Sequence, residues 1–404
     1  MGRTAVVVGA GIGGLAAAVG LRRTGWEVTV LDRAPELADA GAGISLAANG
    51  IRALDALGVG AAVRAAGRGQ YTGGTRTPDG GWLARMDGAA LERALGSPIV
   101  GIPRAELHRL LREALGDPAP RTGVTATAAT TLPGGGKARV ELRPEGAAEG
   151  DGAGAAPEVL EADLVVAADG VRSRLRGALF PAHPGPEYSG STVLRAITDR
   201  PLDLRTDFEI TWGRGVEFGH IAFADGRAEW HAVLNAPAGV RPADPLAVLR
   251  RRFADWHAPV PELLAATRAE AVLHHDVTEL VTPLPSFTAG RVVLLGDAAH
   301  AMTPNLGQGA CQALEDAVVL AAELDGATDV TAALARYDAV RRPRTTEVAA
   351  AARRAGRMGQ QLSHPLAVPL RNGLLRLAPS GAAVRAILRH AAWTPPLTSA
   401  FRER

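Results

Sequence analysis

The chain of 404 residues contains one cysteine, Cys311, and one lysine, Lys137. A single cysteine excludes an intramolecular disulfide and a cysteine-based structural zinc site, so no metal site is predicted. No apolar run reaches the roughly 18 residues that a membrane-spanning helix needs. The first apolar strand begins so close to Met1 that it leaves no room for a signal peptide. We therefore expect a cytoplasmic protein without a membrane span.

Acidic residues become scarce toward the end of the chain. From Arg336 onward there are 13 arginines against three acids, which are Asp338, Glu347 and Glu403. Such a segment could suit an acidic membrane surface or a nucleic acid. Few aromatic residues are interleaved with the arginines, and no nucleic-acid-binding module is present. We therefore expect a solvated or internally paired helical face, broken at prolines such as Pro343, and no nucleic-acid partner.

The most informative stretch runs from Val6 to Arg33, VVVGAGIGGLAAAVGLRRTGWEVTVLDR. It predicts a strand, a glycine turn, a helix and a second strand that ends in Asp32. In the pattern G-x-G-x-x-G, Gly9 allows the sharp turn, Gly11 lets a pyrophosphate approach the backbone, and Gly14 lets the helix pack on the sheet. The helix start favours anions, and the carboxylate suits ribose hydroxyls. The stretch predicts a dinucleotide site, without deciding between NAD and FAD.

Two further apolar strands end in an acidic residue. Asp169-Gly170 follows the strand at 164–168, and Gly296-Asp297 follows the strand at 291–295. The second is succeeded by a long predicted helix, Gln308 to Leu324, with glycines at its start. These features predict a second helix start that faces a ligand.

The segment Ile102 to Leu115 predicts an amphipathic helix with a buried leucine stripe. Arg104 then lies near the helix start, where a cation is unfavourable to the helix dipole. An anionic ligand at Arg104 would explain this position, and an exposed arginine is the alternative.

Between Pro181 and Pro283 the chain predicts an antiparallel sheet rich in aromatic and β-branched residues. Arg195, His220 and His231 alternate there with apolar residues. Arg195 could pair with a carboxylate or enolate, and either histidine could act as a base. Alternation alone does not decide which face is inside. All three therefore remain candidates, with an outward or hydrogen-bonded position as the simpler interpretation.

Three motifs together carry a family resemblance: GAGIGG at 9–14, Asp169-Gly170, and GDAAHAMTPNLGQGACQALEDA at 296–317. In this order and spacing the chain resembles the class A, single-component FAD-dependent monooxygenases of the para-hydroxybenzoate hydroxylase fold. It is most similar to the branch that holds the salicylate, 3-hydroxybenzoate and urate hydroxylases and zeaxanthin epoxidase.

The resemblance implies an α/β fold in which a Rossmann-like, glutathione-reductase-like FAD-binding domain carries an inserted antiparallel sheet and C-terminal helices. The FAD-binding domain would comprise 1–70, 98–180 and 284–345. The substrate-binding sheet would comprise 71–97 and 181–283, and the C-terminal helical segment 346–404.

The resemblance also assigns site residues. Asp32 and Arg33 would lie at the adenosine end, and the Val124 backbone would meet the adenine. Pro304 would lie over the flavin, while His300 would support its loop. The full set of implied cofactor contacts is Gly9, Gly11, Gly13, Gly14, Asp32, Arg33, Ser45, Arg104, Val124, Asp169, Asp297, Pro304, Gly307, Gln308, Gly309, Ala310 and Cys311.

The implied reaction uses NAD(P)H to reduce FAD and O2 to form a flavin C4a-hydroperoxide, which hydroxylates an aromatic or other electron-rich small molecule. Alternatives within the fold are epoxidation, Baeyer–Villiger oxidation, a reductase, or a flavin-binding protein without turnover. A flavin halogenase is disfavoured because its W-x-W-x-I-P motif and active-site lysine are absent. A monomer or homodimer and a role in secondary metabolism are expected.

Overall fold

A computed structural model describes residues 2–37, 42–145, 157–379, 381–396 and 401. These residues form eighteen strands in four sheets. In chain order the strands are β1 (Thr4–Val8), β2 (Glu27–Leu31), β3 (Gly43–Leu46), β4 (Arg68–Gln70), β5 (Gly73–Arg76), β6 (Trp82–Arg85), β7 (Ile99–Pro103), β8 (Val124–Thr131), β9 (Ala138–Pro144), β10 (Glu158–Ala162), β11 (Leu164–Ala167), β12 (Glu187–Ile197), β13 (Phe208–Trp212), β14 (Val216–Ala222), β15 (Ala228–Asn235), β16 (Leu273–Glu279), β17 (Thr288–Ala289) and β18 (Val292–Leu294).

Helices connect and cover these sheets. They are α1 (Ile12–Arg23), α2 (Ala48–Ala56), α3 (Gly60–Ala66), α4 (Gly88–Leu95), α5 (Arg104–Leu115), α6 (Arg174–Leu179), α7 (Pro245–Arg252), α8 (Val260–Ala265), α9 (Asp297–His300), α10 (Gly309–Leu324), α11 (Val330–Met358), α12 (Ala367–Arg376) and α13 (Ala382–Ala391). Among the residues that the structure describes, none of these helices is both long and apolar enough to cross a bilayer.

The first sheet has the order β17-β18-β11-β1-β2, and its four longer strands run parallel. Strands β1, β11 and β18 consist almost entirely of buried valine, leucine and alanine, as expected of a parallel sheet that is covered on both faces, whereas the edge strand β2 alternates buried and exposed residues. Helices α1 and α10 pack together beside this sheet, and the antiparallel sheet β10-β9-β8 contacts β1, β11 and β18. The predicted Rossmann-like sheet is confirmed.

The largest sheet has seven strands in the order β16-β12-β15-β14-β13-β5-β6 and is mostly antiparallel. One of its faces packs against α7 and α8 through Trp230, Phe218 and Phe253. Strands β5 and β6 join this sheet although they are distant from β12 in the chain. A small sheet, β3-β7-β4, lies against β14 and β15 on the opposite face.

Candidate active site

Glycines shape the turn between β1 and α1. Gly9 has a φ angle of +105°, and a Cβ atom there would lie 2.3 Å from the carbonyl oxygen of Ala168. A Cβ on Gly14 would lie 1.8 Å from the carbonyl oxygen of Gly9. Gly11 is different, because no described atom lies within 4 Å of its Cβ position. The start of α1 therefore faces open space, where backbone N–H groups can meet an anion.

Helix α10 runs beside α1 in the same direction. The Cβ position of Gly13 is 3.1 Å from the Cβ of Ala313, and that of Gly20 is 3.0 Å from the Cβ of Ala321. Because the residue numbers rise together along both helices, their N-termini lie at the same end. Two positive helix ends are thus brought together beyond the carboxyl ends of β1 and β18.

The carboxylate of Asp32 is fastened to the glycine turn. Its oxygens accept hydrogen bonds from the N–H of Ala10 (2.7 Å) and the N–H of Ala34 (2.8 Å). Each carboxylate oxygen can accept a further bond from a ligand hydroxyl. The N–H of Val124 donates to the carbonyl oxygen of Asp32 (3.1 Å), so this N–H is already used within the protein. Arg33 is exposed next to them.

The small sheet brings Ser45 and Arg104 toward this region. Gln70 donates through Nε2 to the Ser45 hydroxyl at 3.0 Å. Helix α5 begins at Arg104, near where the sequence predicts, and the Arg104 N–H donates to the carbonyl oxygen of Ala42 at 2.8 Å. The Arg104 side chain is near enough to Arg195 of β12 for its charge to affect that residue's pKa. Arg104 therefore lies near β12 of the seven-stranded sheet as well as next to the small sheet.

The third motif leads from β18 into α10. Asp297 is exposed at the first turn of α9, and Pro304 opens a single helical turn that ends at Gly307. No described atom lies within 4 Å of the Cβ positions of Gly307 and Gly309. Ala310 follows in the first turn of α10. As at Gly11, the absence of side chains leaves a helix start accessible.

Two members of this motif point their side chains into the protein instead. The Gln308 amide oxygen accepts hydrogen bonds from Asn49 (2.8 Å) and Gln312 (3.1 Å). Cys311 is fully buried, with its Sγ 2.8 Å from the Cβ position of Gly50. Burial raises the pKa of the Cys311 thiol to about 12, so the thiol is not a nucleophile. Only the backbone of these two residues can meet a ligand.

A buried ionic network that the sequence analysis missed holds this loop. Asp316 accepts a bond from the N–H of Gly296 (2.9 Å), lies 2.6 Å from Nε2 of His300, and accepts from Nε of Arg341 (2.6 Å). Burial opposes ionisation, yet the charges of His300 and Arg341 hold the pKa of Asp316 at about 2. His300 therefore has the structural role that was expected of it.

Glu315 extends the same network to α2 and α11. It accepts hydrogen bonds from Arg341 (2.5 Å), from Arg344 (2.6 Å) and from Asn49 (2.7 Å). The side chains of Glu315 and Arg341 are fully buried. The only sequence signal for this pairing is the arginine-rich start of the C-terminal region, which was expected to be solvated or internally paired.

Asp169 is hydrogen-bonded to the first turn of α6, whose N-cap residue is Ser173. Its carboxylate accepts a bond from the Ser173 hydroxyl (2.6 Å) and one from the N–H of Leu175 (3.2 Å) at the start of α6. A cleft beside it is lined partly by Arg172 and Arg176. These hydrogen bonds fix the chain that follows β11. The preceding residue, Ala168, contacts Gly9, so this segment lies next to the glycine turn.

The register of the seven-stranded sheet separates the three candidate substrate residues. Arg195 and His231 are register partners on β12 and β15 and share the face that is not covered by α7 and α8. His220 pairs with Trp230, whose ring is in the core on the helix-covered face. His220 is buried there near Thr206, and burial lowers its pKa. The structure therefore brings Arg195 and His231 together and places His220 on the other side.

The imidazole of His231 lies between two buried carboxylates. Its Nδ1 is 3.2 Å from Glu229 Oε2, and its Nε2 is 3.9 Å from Glu217 Oε1. A Cβ on Gly219 would lie 2.4 Å from Nε2, so glycine is needed for the ring to cross β14. Burial opposes protonation, but Glu229 and Glu217 raise the pKa of His231 above its ordinary value.

Arg195 lies beside this histidine with one donor unused. Its Nε is buried and has no hydrogen-bond partner among the described residues. Burial lowers the pKa of Arg195, Glu229 opposes that effect, and the nearby charge of Arg104 lowers it further. A buried arginine donor without a partner is suited to an anionic or polar ligand group.

The chain encloses this face from two sides. On one side, the Cβ position of Gly43 is 2.6 Å from the Cβ of Glu229, so β3 packs directly over β15. On the other, Asn305 of the third motif donates to Gln360 (2.8 Å), and Gly359 packs against Trp212. The open helix starts and the Arg195–His231 face therefore border one region, which fits an extended dinucleotide that ends beside a small substrate.

Comparisons with known proteins agree with this geometry. The chain is 37% identical over 396 residues to the aurachin C monooxygenase/isomerase of Stigmatella aurantiaca, covering 98% of this chain and 99% of the relative. It is 38% identical over 361 residues to the 3-amino-4-hydroxybenzoate 2-monooxygenase PtnB3 of Streptomyces platensis, covering 85% of each chain. The structure of Klebsiella pneumoniae HpxO with FAD and uric acid matches with a TM-score of 0.86 at 27% identity, covering 96% of both chains.

The match to a defined protein family is equally broad. Residues 3–352, more than four-fifths of the chain, match the family described as the FAD binding domain. The predicted family resemblance is thereby confirmed, and the chain belongs to the FAD binding domain family.

Proposed function

We propose that this protein is an FAD-dependent monooxygenase that uses NAD(P)H and O2 to oxygenate an aromatic or other electron-rich small molecule. The observation that carries the proposal is the juxtaposition of two open, parallel helix starts with the enclosed Arg195–His231 face. The helix starts suit the anionic parts of a dinucleotide, and the face suits a substrate with an acidic oxygen.

Particular residues are suited to hold the cofactor. The backbone N–H groups at the start of α1, near Gly11, would bind the pyrophosphate. Gly307 and Gly309 have no side chains, so the cofactor could approach the start of α10. Arg104 and Ser45 would contact the cofactor between the two sheets, with Asp297 and the backbone of Ala310 near the second helix start. Asp32, Arg33 and the Val124 carbonyl would face the adenosine. FAD, when bound, supplies the electron-transfer and oxygen-transfer chemistry.

The substrate-handling residues are Arg195 and His231. The unused Nε donor of Arg195 would bind an ionised oxygen or carboxylate of the substrate, which fixes its orientation. His231, backed by Glu229, would exchange the proton of that oxygen. Removing this proton makes an aromatic ring more electron-rich, which favours attack on an electrophilic oxygen. The enclosing contacts at Gly43 and Trp212 would keep bulk water out.

The names of the relatives support this substrate class. One of them is named as a 3-amino-4-hydroxybenzoate 2-monooxygenase, and another was solved with FAD and uric acid. Both compounds are rings with acidic positions. The aurachin C relative, which is matched over 98% of this chain, is named as both a monooxygenase and an isomerase. A second candidate function is therefore an oxygenation, such as an epoxidation, whose product rearranges in the same site.

The proposal is tested by visible spectroscopy of the purified protein. Flavin bands near ~370 and ~450 nm should be present and should bleach under anaerobic conditions on addition of NADPH or NADH. Aromatic substrates that fit the site should accelerate the bleaching. A protein that cannot bind FAD even on reconstitution would refute the proposal. A yellow protein that neither nucleotide reduces would support a non-catalytic flavoprotein instead.

A further inference from the structure

Helix α12 and the residue on either side of it carry a row of leucines that the rest of the described chain leaves exposed. The exposed fractions are 77% for Leu366, 66% for Leu370, 63% for Leu374 and 83% for Leu377. Spacings of four, four and three residues place these side chains along one side of the helix. Met358, at the end of α11, is 56% exposed as well. Scattered exposed apolar residues are ordinary, whereas a contiguous row marks an interaction surface.

The opposite side of α12 is anchored, so the leucines face outward in a defined way. Arg371 is buried and donates to the carbonyl oxygens of Met358 (3.0 Å) and Gly359 (2.9 Å). Its guanidinium also lies over the ring of Trp212, 5.1 Å from the ring centroid. Val368 is buried on the same side. The helix is thus fixed to the end of α11 and to the seven-stranded sheet.

The surroundings of the leucine row are cationic. The sequence has no aspartate or glutamate from 348 to 402, and three of its eight arginines there are buried or paired with acids outside this stretch. Arg357 and Arg376 are exposed and directly precede Met358 and Leu377 in the sequence, and the exposed Arg214 donates to the carbonyl oxygen of Ser363 (3.2 Å) just before α12. Asp79, in the turn between β5 and β6, lies near Arg376 and offsets part of this charge.

We propose that α12 and the end of α11 dock onto the surface of an anionic lipid bilayer. A helix with an apolar row and flanking arginines lies in the plane of the interface, with its leucines among the acyl chains and its cations near the phosphates. A second copy of this chain fits the surface less well. In a two-fold contact the arginines next to the leucine row of one copy would lie opposite the same arginines of the other, and like charges repel. A solvated or internally paired helical face was expected for this region, and the proposal adds a role for the four leucines that remain exposed.

The test uses the FAD-loaded full chain and vesicle flotation. The protein should float with vesicles that contain phosphatidylglycerol and remain unbound with pure phosphatidylcholine vesicles. The double variant Leu370→Ser with Leu374→Ser should bind these vesicles about tenfold more weakly or worse, because two apolar side chains that would be transferred from water into the bilayer are lost. Arg357→Gln with Arg376→Gln should remove the preference for phosphatidylglycerol, and added salt should do the same.

Matched controls separate docking from folding defects. Val340 is 50% exposed on α11, 18 residues before Met358 and so about 27 Å away along the helix. Val340→Ser should leave flotation unchanged, and every variant should keep its FAD content. Absence of flotation with both vesicle types, or flotation that neither double variant alters, would overturn the proposal. Dimers in sedimentation that Leu370→Ser with Leu374→Ser dissociates, without any flotation, would overturn it in favour of a second copy.

Discussion

Arg195 and His231 face each other across neighbouring strands on the enclosed side of the seven-stranded sheet. The Nε donor of the arginine has no hydrogen-bond partner in the described part of the chain, and the imidazole is held at 3.2 Å from Glu229. A binding cation and a proton-exchanging group are therefore adjacent, each positioned by a strand rather than by a loop. This pairing gives the first two predictions.

Replacing Arg195 with glutamine should impair substrate binding while leaving the cofactor in place. Loss of a charged hydrogen bond costs about 1.5–3 kcal/mol, so KM for the substrate should rise about 10- to 100-fold. Steady-state kinetics and the flavin absorbance of the purified variant measure the two effects. The exposed Arg268, paired with Asp199 at 2.9 Å, provides the control Arg268→Gln, which should leave KM unchanged. Equal KM values in both variants would contradict the role of Arg195.

Replacing His231 with glutamine should flatten the pH profile. Because Glu229 and Glu217 raise the pKa of His231, wild-type kcat/KM should climb with pH through a midpoint above about 6.5 as the ring becomes a base. In the variant, kcat/KM should no longer rise with pH in this range. His220→Gln, on the helix-covered face, is the matched control and should keep the wild-type profile. If kcat/KM of His231→Gln still rose with pH as in the wild type, the proton transfer would belong to another group.

The raised pKa of His231 also affects the stability of the fold. A histidine whose folded pKa is raised stabilises the fold fully below its unfolded pKa of about 6.5, and this contribution is lost as pH rises through the folded pKa. The free energy of unfolding of the wild type should therefore fall relative to His231→Gln as pH rises through this range. Urea unfolding of both proteins at a series of pH values measures the difference, and parallel curves would contradict it.

Two glycine variants should separate cofactor binding from packing. Gly11→Ala meets no described atom, so the apoprotein should keep its Tm, whereas FAD affinity should fall because the methyl group fills the approach to α1. Gly13→Val would press on Leu295 and Ala313, which should cost about 1–3 kcal/mol of stability. Thermal unfolding of the apoproteins and FAD titration measure both properties. A destabilised Gly11→Ala apoprotein would show that the space is not open.

Arg341→Met should be strongly destabilising, because it leaves Glu315 and Asp316 buried without their main cation. Removing one partner of a buried pair costs about 3–5 kcal/mol. The lowered pKa of Asp316 also makes wild-type stability fall as pH drops from about 4 toward about 2, where the carboxylate becomes protonated. Asp316→Asn should lack this acid dependence. Urea midpoints across that pH range measure it, and an Arg341→Met variant as stable as wild type would refute the role of the network.

The sequence predicts the motifs' local structure and the fold class well, because each glycine turn follows an apolar strand and precedes a helix within a short stretch of chain. It predicts less where distant segments meet. The sequence predicts a solvated or internally paired position for Arg341, which lies in an arginine-rich stretch. In the structure its side chain is buried and paired with Asp316 of another helix, a contact between distant segments that local sequence does not reveal. Pro343 was expected to break a helix but lies inside α11, where the ion pairs of Arg341 and Arg344 hold the chain on either side. The separation of His220 from His231 depends on strand register, which alternation alone does not set.

The most direct test of the central claim is isotope incorporation from dioxygen. The FAD-loaded protein is supplied with NAD(P)H, ¹⁸O₂ and an aromatic substrate that accelerates flavin bleaching, and the product is analysed by mass spectrometry. The account predicts a product that carries one ¹⁸O atom, with NMR then distinguishing a hydroxylated ring from an epoxide or its rearranged form. Substrate-stimulated nucleotide oxidation that yields an unlabelled product would contradict a monooxygenase.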